Sequence, residues 1–276
     1  MLEYKNMSID SNMFSKKNRV LLGELVKTDF KLRYQGSVLG YLWALIKPLL
    51  MFAILYIVFA KILRFGGNIP HYPVYLLVGT VIWNFFVECT QQGIHAIEQR
   101  GDLLRKINFP KYIVVVSATS TAVINVLINI CVVIIFALLN GVTPSLSWLF
   151  VPLSLIELYA LALGISLWLG AINVKYRDIG SIWEVITQAL FYAVPVIYPV
   201  SMVSASSMLA AKVILINPIA QAIQDIRENL ITDAAATTWD TAGIGFGWLS
   251  IGIVVAVLAI SIFVFKKKSK HFAEEV

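Results

Sequence analysis

Charge is scarce in this chain. Asp, Glu, Lys and Arg make up 14% of 276 residues, against roughly a quarter in soluble domains. Only two cysteines occur, Cys89 and Cys131. Both fall inside apolar stretches and read as small core hydrophobes, which argues against a disulfide framework or a metal site. No Gly-x-x-x-x-Gly-Lys-Ser/Thr phosphate loop is present, so the chain is not expected to hydrolyse ATP by itself. Internal repeats with buried ionisable pairs near the midplane are missing too, which excludes the usual self-contained proton-coupled carrier. Close acids outside the termini are limited to Asp225 and Glu228, with Arg227 between them. That grouping fits a surface ion-pair helix and counts against a membrane-embedded glycosyl- or acyltransferase. A cleavable signal is not expected, because the first apolar run starts near Val38 after a long charged stretch and is too long for a signal core.

Apolar residues fill the space that charge leaves. The chain is 59% hydrophobic with a mean hydropathy of +0.80. A bilayer span takes about 20 apolar residues, and the runs fit six. The expectation is an all-α integral membrane protein of six spans. Most of the 22 basic residues fall in alternate connections. Seven precede the first span (Lys5, Lys16, Lys17, Arg19, Lys27, Lys31, Arg33), and four lie between Arg100 and Lys111. Lys175 and Arg177 add two, and the tail four (Lys266, Lys267, Lys268, Lys270). By the positive-inside rule these connections and both termini are cytoplasmic. The basic excess is therefore topology, and no nucleic-acid partner is expected.

Taken in order, residues 1–35 form a cytoplasmic N-terminus. Its Lys16–Tyr34 part sets Val20, Leu21, Leu25, Phe30 and Leu32 among Arg19, Lys27 and Arg33, which suggests an amphipathic interface helix on the membrane face. Residues 36–265 hold the six spans, and 266–276 the cytoplasmic tail. In span one, Lys47 is placed to snorkel and Pro48 to kink. Span two carries Asn84, Glu88, Gln91, Gln92 and His95 three or four apart, on one helical face. Polar residues within a span point into a bundle or a wet cavity, so a channel-lining role and an interhelical hydrogen-bond seam both fit. One acid, Glu88, and one histidine, His95, are weak grounds for a proton relay. Span three has Ser117, Thr121, Asn125 and Asn129 in a row suited to close packing. Span five starts near Ile179, with Asp178 placed to cap it, and is broken by Pro195 and Pro199. The short pieces to Pro218 read as re-entrant helices shielded from lipid, and Ile219–Leu230 as an outer amphipathic helix.

Between spans two and three lies a short basic connector, residues 98–111. Arg100, Arg105, Lys106 and Lys111 place it in the cytoplasm. Yet Leu103, Leu104, Ile107 and Phe109 are apolar. Asp102 can cap a short helix that Phe109-Pro110 ends. A docking peg for a partner and a helix lying in the headgroup layer both fit.

Several stretches, in their order and spacing, carry a resemblance over residues 19–265. Leu32-Arg33-Tyr34-Gln35-Gly36-Ser37-Val38-Leu39-Gly40 is followed by Trp43 and Pro48. Then come Trp83-Asn84-Phe85-Phe86, Lys106-Ile107-Asn108-Phe109-Pro110, Asn173 through Tyr176-Arg177-Asp178-Ile179, Val194 to Pro199, and Asn217-Pro218. Together these resemble the permease subunits of type-2 ABC transporters that export cell-surface polysaccharide of the O-antigen, capsule, teichoic acid or rhamnan class. The resemblance implies a homodimer enclosing a channel for an undecaprenyl-linked glycan. It also implies two separate ATP-binding cassette subunits, which hold the ATP and Mg that this chain does not bind.

The resemblance further implies residue roles. The interface helix, with Arg19, Leu25, Lys27, Phe30 and Arg33, and the connector residues Asp102, Leu103, Leu104, Arg105, Lys106, Ile107, Asn108, Phe109 and Pro110 are the ATPase contacts, which favours the docking peg. Tyr41, Trp43, Phe52, Tyr56 and Phe86 guide sugar rings along the channel, beside Asn84, Glu88, Gln91 and His95. Residues 192–230 form an outer gate, with Tyr192, Pro195, Ile197, Tyr198, Pro199, Asn217 and Pro218. Export of a lipid, drug, haem or other small amphiphile by the same fold is the alternative.

Overall fold

The computed structural model describes residues 15–34, 36, 39–64, 69–107, 109–231 and 235–272. Asn108, and Gln35, Ser37 and Val38 of the first motif, lie outside the described residues. All regular structure among the described residues is helical. In order these are α1 (Lys16–Tyr34), α2 (Gly40–Ile62), α3 (Tyr72–Gln99), α4 (Gly101–Lys106), α5 (Tyr112–Leu139) and α6 (Val151–Asn173). After them come α7 (Ile179–Ala193), α8 (Val200–Ser206), α9 (Met208–Ile216), α10 (Pro218–Ile231), α11 (Thr238–Thr241) and α12 (Ile244–Lys268).

Among the described residues, five helices are long and apolar enough to cross a bilayer: α2, α3, α5, α6 with its leading turn from Leu146, and α12. The pair α9–α10, bent by 97°, makes a sixth if counted as one broken span. The fifth span expected from Ile179 is not continuous. α7 has 15 residues, which rise about 22 Å, short of the roughly 30 Å hydrocarbon core. Pro195 and Pro199 lack the N–H that would carry the helix on.

α3 is the central helix: 78% of its apolar window is buried, against 6% for α2. It packs on α5, α6, α7 and α10. Gly93 lets α3 meet α6, because a Cβ there would stand 2.3 Å from the Cβ of Ser166. The polar row on α5 is buried as packing requires. Asn129 donates to the Ala44 carbonyl (3.1 Å), Asn125 to Glu88 (2.6 Å), and Ser117 to Asp29 (2.7 Å). The row thereby bonds α5 to α2, α3 and α1, leaving no donor of these three side chains to lipid.

Two expected caps differ. Asp178 precedes α7 but makes no capping bond, because its own backbone is already helical (φ −72°, ψ −13°), whereas an N-cap wants extended dihedrals. Asn173 takes over, its Oδ1 accepting from the Gly180 N–H at 3.2 Å. Asp102 sits inside the first turn of α4, behind the cap position at Arg100. There its charge favours the helix N-terminus without bonding it.

Candidate functional site: a polar cleft along the central helix

Residues of α3 spaced by three and four share a face, and two neighbouring cavities open on it. One, about 450 Å3, is lined by Arg33, Trp43, Lys47, Asn84, Phe85, Glu88, Gln91, Gln92, Asn125 and Asn129 among others. The second, about 400 Å3, is lined by Met51, Thr80, Trp83, Asn84, Gln91, Glu184, Thr187, Gln188, Phe191 and Tyr192. Asn84, Val87 and Gln91 belong to both, so they join into one cleft between α2, α3, α5 and α7. Amide side chains and aromatic rings line it among apolar side chains such as Val81, Val87 and Val126, with the cations Arg33 and Lys47 at one end and Glu184 at the other.

A carboxylate fixes the cationic end. Glu88 Oε1 accepts from Arg33, from Asn125 Nδ2 at 2.6 Å and from Gln92 Nε2 at 2.9 Å. It ties the end of α1 to α3 and α5. A second node lies below, where Asp29 of α1 accepts from Arg100 and from Ser117. Burial lowers the pKa of the Arg100 guanidinium from its ordinary value. The Asp29–Arg100 pair also joins α1 to the start of the connector.

Of the residues expected on the channel wall, Trp43, Asn84, Glu88 and Gln91 come together here. Phe86 does not. It is fully buried between Trp83 and Trp183, one residue and hence about 100° round the helix from Phe85, which takes the wall position. Phe52 turns edge-on to Phe136 and stacks on Tyr56, facing α5 rather than the cleft. Tyr41 stacks on Phe30 of α1 with centroids 5.3 Å apart. His95 lies further along α3, against Gly180 and 3.9 Å from Glu98. Arg33 and Lys47 were missed as wall residues. Basic residues near the end of a span read equally well as interface anchors, and for Arg33 the Glu88 partnership separates the two readings.

The connector divides its apolar residues. Leu104 and Phe109 are 5% and 6% exposed, in a cluster with Leu25, Ile97, Val114, Phe265 and Phe272. Ile107 is 50% exposed beside exposed Asp102, Arg105 and Lys106. Ile107 is therefore the exposed apolar side chain of the connector, while Leu104 and Phe109 pin α4 to the bundle. On α1, Leu25 joins the same cluster, Phe30 is half-buried, and Arg19 and Lys27 are exposed.

At the other end, Val194–Ile197 runs buried and non-helical. Its carbonyls need donors, and an unexpected residue supplies them. Arg227 is fully buried rather than on a surface. Its Nη1 donates to the Pro195 carbonyl (2.6 Å) and to Gln224 Oε1 (2.8 Å), Nη2 to the Val196 carbonyl (2.6 Å), and Nε to the Tyr75 carbonyl (3.0 Å). The guanidinium also lies 3.6 Å from the Tyr75 ring centroid. Tyr72 donates to the Ile197 carbonyl at 3.1 Å, and Tyr198 to Ala193 at 3.1 Å. Tyr192 is 71% exposed at the cleft's end. Asn217 Oδ1 caps the Ile219 N–H at 3.0 Å at the sharp bend, and Pro218 is buried. The expected outer surface helix is thus α10 packed inside, its Arg227 satisfied by backbone carbonyls and Gln224 and not by Asp225 or Glu228.

Such a bundle, with an irregular buried segment and a polar cleft beside its central span, defines a multi-pass helical membrane protein. Residues 20–231 match the ABC-2 type transporter family, to which the chain belongs, and it resides in the inner membrane. It is 29% identical over 262 residues to the O-antigen export system permease protein RfbA of Klebsiella pneumoniae, covering 92% of this chain and 94% of that one. The protein of the same name from Myxococcus xanthus is 28% identical over 265 residues, covering 94% and 96%.

Proposed function

We propose that this chain is the permease subunit of an ATP-driven exporter that moves a lipid-linked polysaccharide of the O-antigen or teichoic acid type across the inner membrane. The observation that carries this reading is the cleft along α3, whose amides and aromatic edges match the hydroxyls and apolar faces of sugar rings. The names of the relatives support the cargo. Two copies of the chain enclose the path, each offering its cleft and the α2 face left almost unburied by its own bundle. Both termini lie in the cytoplasm, and Val194–Pro199 with α8 to α10 gates the outer end.

Power comes from two separate ATP-binding cassette subunits, which hold ATP and Mg and dock on α4 and α1. The outward Ile107, flanked by Arg105 and Lys106, is the contact, and the Asp29–Arg100 pair passes its movement to α1 and so to Arg33 at the cleft. Undecaprenyl-linked glycan should stimulate ATP hydrolysis by the purified complex, whereas hydrophobic drugs should not. Stimulation by drugs with no response to glycan would assign the cleft to another cargo.

A further inference from the structure

A separate groove lies between α6, α10, α11 and α12 and shares no lining residue with the cleft. It encloses about 760 Å3, within the roughly 300–1,000 Å3 of ligand-sized cavities. α5 starts at the connector and ends just before α6, so the groove, at the start of α6, lies at the opposite end of the bundle. Leu153, Ile156 and Val255 are exposed along it, and on helices that cross a bilayer such a face meets lipid. Four acids line it, Glu157, Asp225, Glu228 and Asp240, and among the described residues no lysine or arginine does. Two of the four are taken up by the fold: Asp240 accepts from Thr237 at 2.6 Å, and Glu228 from the Ala235 N–H at 3.2 Å. Asp225 Oδ2 accepts from Trp239 Nε1 at 3.3 Å, with the Gln221 amide alongside. That leaves Glu157 Oε1 and Asp225 Oδ1. Both atoms are buried, and among the described residues neither accepts a hydrogen bond. The two carboxylates are neighbours. Beside them Trp239 and Trp248 stand edge to face, with centroids 6.0 Å apart, and Gly247 seats the Trp239 ring, which a Cβ there would approach to 2.4 Å.

We infer that this groove holds one phospholipid with a primary ammonium headgroup, from the leaflet away from the connector. The ammonium sits between Glu157 and Asp225 against the two indoles, and an acyl chain runs along Ile251 and Val255. Charge complementarity selects the occupant. A carboxylate inside a span is costly unless a cation or donor meets it, and the chain itself supplies none to Glu157. A primary ammonium brings a positive charge and three N–H donors, and the indole faces attract it further. A quaternary ammonium carries the charge without the donors, and an anionic headgroup meets four acids. A metal ion needs several ligands converging on one point, and among the described residues no group of three His, Cys, Asp or Glu side chains offers that. A free amine would leave the apolar trough empty. The inference does not depend on what is exported.

The test uses the purified full chain in detergent, titrated with equimolar phosphatidylethanolamine, phosphatidylcholine and phosphatidylglycerol of matched acyl chains and read by native mass spectrometry. One phosphatidylethanolamine should be retained about tenfold more tightly than either of the others, the worth of one hydrogen bond to a charged group. Glu157→Gln keeps the size of the side chain, removes its charge and should bring phosphatidylethanolamine down to the level of phosphatidylcholine. Val255→Trp fills the trough from its exposed side and should abolish the retained lipid. Ile260→Trp, equally exposed on α12 but outside the groove, should keep it. Equal retention of phosphatidylethanolamine and phosphatidylcholine would overturn the proposal, as would a preference for phosphatidylglycerol. Glu157→Gln or Val255→Trp binding like the unaltered chain would overturn it too, and so would loss of the lipid in Ile260→Trp, since the lipid would then lie elsewhere on α12.

Discussion

A buried guanidinium that meets carbonyls rather than carboxylates stands or falls by its geometry. Among the described residues no acid lies within ion-pair distance of Arg227, so its planar fork must serve the Tyr75, Pro195 and Val196 carbonyls at once. Arg227→Met strips those carbonyls of donors and should cost on the order of 3–5 kcal/mol, the range for breaking a buried charged network. Arg227→Lys should recover only part, because an ammonium on a single stem cannot reproduce the fork. Thermal unfolding of the purified chain, ranking native above Lys above Met, checks both. Gly79 makes room for the arrangement: a Cβ there would stand 2.1 Å from Arg227 Nη2 and 2.6 Å from the Val196 carbonyl. Gly79→Ala should therefore lower the unfolding midpoint. An unchanged midpoint would mean that the segment finds its donors elsewhere. None of this is legible in the sequence. Gln221, Gln224, Asp225, Arg227 and Glu228 give α10 the composition of a surface helix, and only the neighbouring broken backbone explains a cation turned inward.

At the scale of elements, residue patterns carried further. The polar stripe of α3 and the polar row of α5 follow from spacing alone, and apart from His95 both are buried or line the cleft. Spacing fixes a face but not what covers it, which is why Phe86 and Phe85 exchange roles and why Leu104 and Ile107 part company. That division gives a contrast. Leu104→Asp puts a charge into the cluster around Phe109 and Phe272 and should destabilise the chain by several kcal/mol, on the order of the cost of an unpaired buried charge. Ile107→Asp, half in solvent, should leave the unfolding free energy within roughly 0.5 kcal/mol of native while uncoupling ATP hydrolysis from export. Should Ile107→Asp export normally, the peg is misplaced. Asp29→Asn should weaken the same coupling by loosening α1 from Arg100, read as ATP hydrolysed per glycan exported.

For the whole molecule, hydropathy revealed the class and nearly the number of crossings, and Pro195 and Pro199 marked the break in the fifth. A run of apolar residues measures length along the chain; depth in the bilayer depends on the neighbours that shield the break at Val194–Pro199. The little-buried α2 turns the surface of Leu50, Ile54 and Ile57 outward, and a second copy would face it across the path. Single cysteines at Ile54 or Ile57 should cross-link copy to copy in membranes, with Cys89 and Cys131 replaced by serine; cysteines at Leu146 or Leu149 should not. The most direct measurement is export in proteoliposomes holding this chain with and without its ATP-binding subunits, loaded with undecaprenyl-linked glycan. Glycan should cross only when both subunits and ATP are present, and Ile107→Asp should stop it. Passage driven by the chain alone would contradict the account.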